Sequence, residues 1–227
     1  MNLKRKTILL VTAMLVFVMA LPLTAGAVNL NSYSKKLMVG ESFTLKVKGT
    51  SKKVKFTSSD KSVATVTSKG VIRAKKRGKA TITAKVGGTK DKCKVTVQTM
   101  QDKNAEKVRT QINKQRRNYG LPSLDYNKYL AKAAQKRAKE LDQNYSHTRP
   151  NGSSWTSAIS LKYNYGKYYY ELIANGYTSP QKVVKAWMNN AKTKPAIVGK
   201  VYEDIGVGYY VAEDGTEFWC VIIAMKK

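Results

Sequence analysis

The chain has 227 residues, enough for one or two domains of ordinary size. It carries 42 lysines and arginines against 14 aspartates and glutamates, a formal net charge of +28. A surface this basic attracts polyanions, and the alternative is that its charge serves solubility only. Two cysteines in the whole chain exclude a disulfide-rich secreted scaffold.

The N-terminus has the three parts of a secretory signal peptide. Residues 4–6 are basic, residues 7–23 are mostly apolar, and residues 25–27 form a small-residue cleavage site. We therefore predict a signal peptide over residues 1–27 and a secreted protein, extracellular or associated with the cell wall, that begins at Val28. An uncleaved anchor is the alternative. No second apolar run of that length follows, so we expect no transmembrane segment in the mature chain.

Residues 28–98 have the alternating pattern of β-strands. Phe43, Leu45 and Val47 alternate with threonine and lysine, as in a sheet with one solvated face. Glycines punctuate several such short runs, which predicts an all-β sandwich. Three runs, Phe56–Val66, Gly70–Ile72 and Gly78–Ala84, resemble the bacterial Ig-like domain of group 2. The resemblance implies a spacer or adhesive module without catalytic residues.

The basic charge is spread over both halves of the chain. Residues 28–100 carry 18 basic and three acidic side chains, and residues 101–227 carry 21 and 11. Behind a signal peptide, anionic cell-wall polymers or polysaccharide are the expected partners. Nucleic acid is not expected, because the basic residues are scattered through strands rather than grouped on one helix.

Residues 99–104 are predicted to be a polar linker, after which the period changes to that of a helix. Val108 and Ile112 share one face of a first helix that ends near Tyr119. Asp125 is a candidate N-cap for a second helix. The apolar face of that helix is Leu130, Ala134, the stem of Arg137, Ala138 and Leu141.

The remaining elements follow a loop that contains the only histidine. Residues 155–161 are predicted to be a short helix. Ser179-Pro180 begins a further helix that buries Val183, Val184 and Trp187. Strands over residues 205–211 and 217–224 are joined by a turn. The second of these strands is nearly all apolar, so we expect it to be central in the sheet.

Four segments carry a second resemblance. They are Tyr145–Gly152 around His147, Tyr170–Gly176 around Glu171, Trp187–Asn190, and Ile205–Gly208. In this order they are similar to the motifs of the CAP superfamily, the cysteine-rich secretory, antigen 5 and pathogenesis-related proteins. The resemblance implies an α-β-α sandwich over residues 105–227. The fold class is therefore an all-β Ig-like sandwich followed by an α+β CAP domain.

The CAP resemblance implies one ligand-binding cleft lined by His147, Glu171, Tyr170, Trp187 and Thr193. Some members bind zinc there, and His147 and Glu171 match two of the ligands. Thr193 stands where the family has a second histidine. A catalytic zinc usually has three protein ligands, so we expect no cofactor, or at most weak binding of a divalent metal such as zinc. Alternatively, Glu171 caps loop amides and orients His147.

Two functions are compatible with this cleft. The first is a ligand-binding or adhesive protein at the cell envelope or host interface, with a lipid or peptide ligand in the cleft. The tyrosines of residues 163–170 then either pack at the cleft edge or form a platform for sugar rings or an acyl chain. The second is an extracellular hydrolase that acts on peptide or cell-wall material through His147 and Glu171. An enzyme is less favoured, because no serine or cysteine has an evident adjacent base, and Cys93 and Cys220 are expected to be buried free thiols in strands.

Overall fold

The computed structural model describes residues 28–160, 162–163 and 165–226. The predicted signal peptide, residues 1–27, lies outside the described residues. The described residues form two domains, a β-rich Ig-like domain and an α+β domain, which confirms the predicted fold class. Among them, no helix combines the length and the apolar character that crossing a membrane requires.

The N-terminal domain is a sandwich of short strands. Its strands are β1 (Asn29–Leu30), β2 (Ser34–Met38), β3 (Ser42–Thr44), β4 (Val47–Lys48), β5 (Lys55–Ser58), β6 (Ala64–Val66), β7 (Val71–Ala74), β8 (Gly78–Val86) and β9 (Thr89–Gln98). One sheet has the order β2-β9-β8-β5 and another β3-β7-β6, while β1 pairs with β4. Ile82, Cys93 and Val95 are buried between the sheets, and lysines and threonines alternate with them toward solvent. The period-2 pattern therefore predicted this core.

The junction between the domains corrects the prediction of a polar linker. Helix α1 (Met100–Asn118) begins directly after β9, with Thr99 as its N-cap. The Thr99 hydroxyl accepts from the Asp102 N–H, and the Asp102 carboxylate accepts from the Thr99 N–H, which is a capping box. Residues 101–104 are polar because they lie in the first helical turn, at or near the surface.

The C-terminal domain continues from α1 as an α-β-α sandwich. Its other elements are β10 (Asp125–Tyr126), α2 (Lys128–Glu140), a 3-10 helix (Trp155–Ala158), β11 (Tyr165–Asn175), α3 (Pro180–Asn189), α4 (Lys194–Ile197), β12 (Asp204–Val211) and β13 (Glu217–Lys226). The sheet order is β10-β12-β13-β11, so β13 is central as predicted. Helix α2 packs on one face, and α1, α3 and α4 pack on the other.

The start of α2 differs from the prediction. Its N-cap is Asn127, whose side-chain oxygen accepts from the Tyr129 N–H at 3.0 Å. Asp125 is instead extended and pairs with Asp204 in the parallel β10–β12 ladder. The prediction for Asp125 was wrong because the pairing of β10 with a distant strand leaves no local signal. The predicted apolar face of α2, from Leu130 to Leu141, is buried throughout and is confirmed.

Two glycines of β12 bring α2 unusually close to the sheet. A Cβ at Gly206 would lie 2.0 Å from the carbonyl carbon of Leu130, and a Cβ at Gly208 would lie 2.1 Å from the carbonyl oxygen of Ala134. Only a residue without a side chain allows this approach. The close contact fixes the height of α2 above the neighbouring strands.

The two cysteines lie in separate cores. Cys93 is buried in the Ig-like domain and Cys220 in β13, and both are free thiols as expected. Neither is placed to react with solvent.

Candidate functional site

The site is built on Glu171, whose side chain is fully buried on the edge strand β11. Its Oε2 lies 2.7 Å from Nδ1 of His147, so these two residues of the expected cleft are in contact. Its Oε1 accepts from Nε of Arg137 at 2.8 Å. Burial by itself lowers the pKa of Arg137, but the ion pairs with Glu171 and Glu140 outweigh burial and raise it. Arg137 therefore neutralises Glu171 inside the domain.

His147 presents its ring to solvent above this buried pair. The side chain is 60% exposed, whereas the Glu171 and Arg137 side chains are fully covered. Because Nδ1 is held by Glu171, Nε2 is the ring nitrogen left for an external group. The loop is anchored from below by Arg137, which donates to the Ser146 carbonyl, and from the side by the Trp155 N–H, which donates to the His147 carbonyl. The result is an exposed imidazole on a rigid base.

A second arginine extends the network on the other side of Arg137. Arg149 donates to both carboxylate oxygens of Glu140, at 2.7 and 3.0 Å, and to the Ser157 hydroxyl. Glu140 also accepts from Arg137 at 3.0 Å. The hydrogen bond from Arg149 and then that from Arg137 hold the pKa of Glu140 below its ordinary value. Positive and negative side chains thus alternate from Arg149 to Glu171.

Sequence reasoning missed this network. It used Arg137 only as an apolar stem and did not consider Glu140 or Arg149. A signal was present, because a charged group on the buried face of an amphipathic helix needs a charged partner. Glu140 stands three residues after Arg137, on the same side of the helix.

Aromatic side chains lie on the Glu171 face of β11 and in the segments beside His147. Tyr169 is two residues before Glu171 in β11 and therefore faces the same side of the sheet. Its ring meets that of Trp155 edge-on, with centroids 5.6 Å apart. Tyr145, two residues before His147, is about half exposed. Tyr169 of the tyrosine-rich run thus shares a face of β11 with Glu171, whereas Tyr163 is buried.

Three residues predicted for the same cleft lie on the other face of β11. Tyr170 donates to the Lys192 carbonyl at 3.0 Å, and the Trp187 indole donates to the Ile173 carbonyl at 3.2 Å. The Thr193 hydroxyl donates to the Trp187 carbonyl at 2.7 Å. Neighbouring side chains in a strand point to opposite faces, so Tyr170 and Glu171 are separated. The structure therefore brings His147 and Glu171 together but places Tyr170, Trp187 and Thr193 in a cluster on the α3 side.

The donor set does not fit a zinc ion. Arg137 and His147 already engage the two oxygens of Glu171, and the Thr193 hydroxyl is held by a carbonyl on the other face. Within residues 28–160, 162–163 and 165–226, no three histidine, cysteine, aspartate or glutamate side chains are grouped to hold a metal. The expectation that this site binds zinc weakly at most stays a prediction.

Cys220 is the nearest thiol to the site. Its S–H contacts Oε1 of Glu171 at 3.6 Å, away from the imidazole. Burial, and then the charge of Glu171, raises the pKa of Cys220 well above its ordinary value. The thiol is therefore protonated at neutral pH and is not an activated nucleophile.

The α-β-α sandwich with its His–Glu site, behind an Ig-like sandwich, defines a two-domain protein of the CAP class. The model of the cysteine-rich secretory protein family, CAP, matches residues 110–223, and that of the bacterial Ig-like domain (group 2) matches residues 26–97. The chain belongs to the cysteine-rich secretory protein family and carries an N-terminal bacterial Ig-like domain. Both resemblances read from the sequence are confirmed.

Relatives cover the two domains separately. The protein YkwD of Bacillus subtilis is 36% identical over 107 residues, which are 46% of this chain and 41% of YkwD. A kappa-carrageenase of Pseudoalteromonas carrageenovora is 44% identical over 75 residues, which are 31% of this chain and 18% of that enzyme. This chain therefore matches less than half the length of either relative.

Two solved structures share the fold. An outer surface protein of Borrelia burgdorferi superposes with a TM-score of 0.50 at 24% identity, covering 55% of this chain and 94% of that one. An extracellular SCP-domain protein of Bacillus anthracis gives a TM-score of 0.50 at 19% identity, covering 56% and 42%. These proteins are of extracellular type.

Proposed function

We propose that this protein is secreted and binds a ligand at the cell envelope through the His147 site. The observation that supports this most directly is the contrast in burial between an imidazole 60% exposed and the fully covered Glu171–Arg137 pair beneath it. The buried ion pair orients the imidazole ring, and because the pair itself is covered it takes up none of the exposed surface around the ring. The imidazole is thereby preorganised to exchange a hydrogen bond with an external group.

The surroundings of the imidazole favour a ligand with both apolar and polar parts. The Trp155–Tyr169 pair offers ring surface, and Nε2 of His147 offers a polar contact. Pockets that combine aromatic walls with a few fixed polar groups are typical of small-ligand sites. Glycan–peptide fragments of the cell wall have this mixed character, and we propose them as the ligand class. The extracellular type of the two similar solved proteins supports this choice of ligand class.

A hydrolase is the second candidate, because a carboxylate that holds Nδ1 of a histidine is also the arrangement of a general base and its orienting group. No nucleophile accompanies it among the residues shown to contact His147. Cys220 is buried and faces Glu171, and the Ser146 hydroxyl accepts from the Thr148 N–H. Binding is therefore the better supported function.

Replacing His147 with alanine is expected to weaken binding of soluble cell-wall fragments about tenfold, the cost of one lost hydrogen bond to a polar ligand group. Gln143→Ala, an exposed change in the same loop, is the matched control and should leave the affinity unchanged. Isothermal titration calorimetry measures both. Equal affinity of wild type and His147→Ala contradicts the proposed binding role. Fragment cleavage, followed by mass spectrometry, that disappears in His147→Ala would instead establish the hydrolase.

Binding to anionic wall polymers is expected to depend steeply on salt. Residues 28–100 carry 18 basic and three acidic side chains, and attraction between exposed charges weakens as the Debye length falls to about 8 Å at physiological ionic strength. Co-sedimentation of residues 28–227 with intact walls should therefore drop between low and physiological salt. Walls stripped of anionic polymer are the control, and equal binding to both preparations contradicts the charge argument.

A further inference from the structure

The two domains enclose a groove of about 590 Å³ on the side of the sheet away from β11. Strand β9 and the loop before β8 form one wall, and α1 and α2 form the others. Ala105 of α1, Ala131 of α2 and Val207 of β12 lie among the lining residues. These small side chains keep the groove open between two helices. Its volume lies within the range of small-molecule sites.

The groove has an excess of positive charge. Its acidic side chains, Asp102 and Glu106, are both already paired. Arg77 donates to both oxygens of Asp102 at 2.8 Å. Lys36 donates to Glu106 at 2.7 Å, with a further hydrogen bond from Gln98. These contacts join the two domains and use the acidic groups of the groove.

Three further cations line the groove, and one of them, Arg109, lies near Glu106 on the same helix. Arg109 comes from α1, and Lys128 and Lys132 come from α2. Among the ion pairs of the described residues, none joins a carboxylate to any of these three side chains. Lys128 lies over the ring of Tyr129, 5.0 Å from its centroid. The groove therefore presents three cations to an external anion.

An aromatic ring and a strand edge complete the groove. Tyr126 is 60% exposed although it lies in β10 and lines the groove. Because β10 pairs with β12 only at Asp204 and Ile205, the edge of β12 beyond them is open toward the groove. The Gln135 amide covers that edge at Tyr209, where it both donates to the carbonyl and accepts from the N–H. By alternation, Val207 also turns its backbone polar groups toward the groove.

We propose that this interdomain groove binds an acidic oligosaccharide. Arg109, Lys128 and Lys132 pair with its anionic groups, and the exposed ring of Tyr126 packs against a sugar ring. The site exists only where both domains are present, since each supplies a wall. It deepens the proposed binding of anionic wall polymers, on which it rests, and it is separate from the His147 site.

The test compares two double variants with equal loss of charge. Arg109→Gln/Lys132→Gln removes two groove cations, and Lys114→Gln/Lys185→Gln removes two exposed lysines from α1 and α3 outside the groove. Calorimetric titration of residues 28–227 with an oligogalacturonate hexamer at physiological salt should show about tenfold weaker binding for the groove variant. The affinity of the control variant should stay within about twofold of the wild-type affinity. Maltohexaose, a neutral sugar chain, should bind to neither variant. Thermal unfolding of both variants verifies the fold.

Tyr126→Ala separates sugar recognition from charge. It should weaken binding of the oligogalacturonate and leave binding of tripolyphosphate, an anion without sugar rings, unchanged. Equal losses in the groove and control variants would overturn the proposed site, as would an unchanged oligogalacturonate affinity in Tyr126→Ala. A last outcome is that wall binding still depends on salt and on the anionic polymer while the groove variant binds oligogalacturonate as tightly as wild type. In that case the groove site is wrong and the proposed binding of anionic wall polymers stands.

Discussion

Replacing Arg137 with methionine is expected to lower the free energy of unfolding of the CAP domain by about 3–5 kcal/mol. The side chains of Arg137 and Glu171 have no solvent exposure, and their Nε and Oε1 atoms are 2.8 Å apart. Methionine fills much of the same volume but leaves the Glu171 charge without its buried partner. Removing one member of a buried ion pair costs more than the pair contributes, because the remaining charge has no water to solvate it.

A double variant distinguishes this cause from lost packing. Arg137→Met/Glu171→Gln removes both charges, so we expect it to be more stable than Arg137→Met alone. Lys139→Met, on the exposed face of the same helix, is the matched control and should change stability by less than about 0.5 kcal/mol. Urea unfolding followed by circular dichroism measures all three. Additive losses in the double variant would show that the two side chains are not coupled.

The second large effect is expected for Gly208→Ala, with a loss of about 3 kcal/mol or more. The new Cβ would lie 2.1 Å from the carbonyl oxygen and 2.3 Å from the carbonyl carbon of Ala134. These are backbone atoms of α2 and cannot rotate away, so the helix must move off the sheet. Because α2 carries Arg137, the displacement also disturbs the contact with Glu171 and should weaken ligand binding at His147.

Gly88→Ala provides the comparison for Gly208→Ala. A Cβ at Gly88 meets no atom within 4 Å, and Gly88 is not among the glycines with positive φ. The substitution should leave thermal unfolding unchanged, as measured by scanning calorimetry. If Gly208→Ala also unfolds at the wild-type temperature, α2 does not require its close approach to β12.

The predicted features that survive are those with a local cause. The alternation in the Ig-like domain predicted its strands, and the helical period predicted the buried face of α2 from Leu130 to Leu141. Each depends on neighbours within a few residues. Motif order predicted one cleft for His147 and Glu171, whose Nδ1 and Oε2 atoms lie 2.7 Å apart.

The sequence by itself determined the two domains, their order, the central position of β13 and the His147–Glu171 pair. Only the tertiary structure decided what surrounds that pair. Arg137 finds Glu171 across 34 residues, and the pairing of β10 with β12 converts Asp125 from a helix cap into a strand. The separation of Tyr170 from Glu171 follows from strand alternation, once β11 is known to be a strand with a helix packed on each side. Periodicity records which side of an element is buried, but not which distant element covers it, and a charged side chain acquires its partner only when that element is in place.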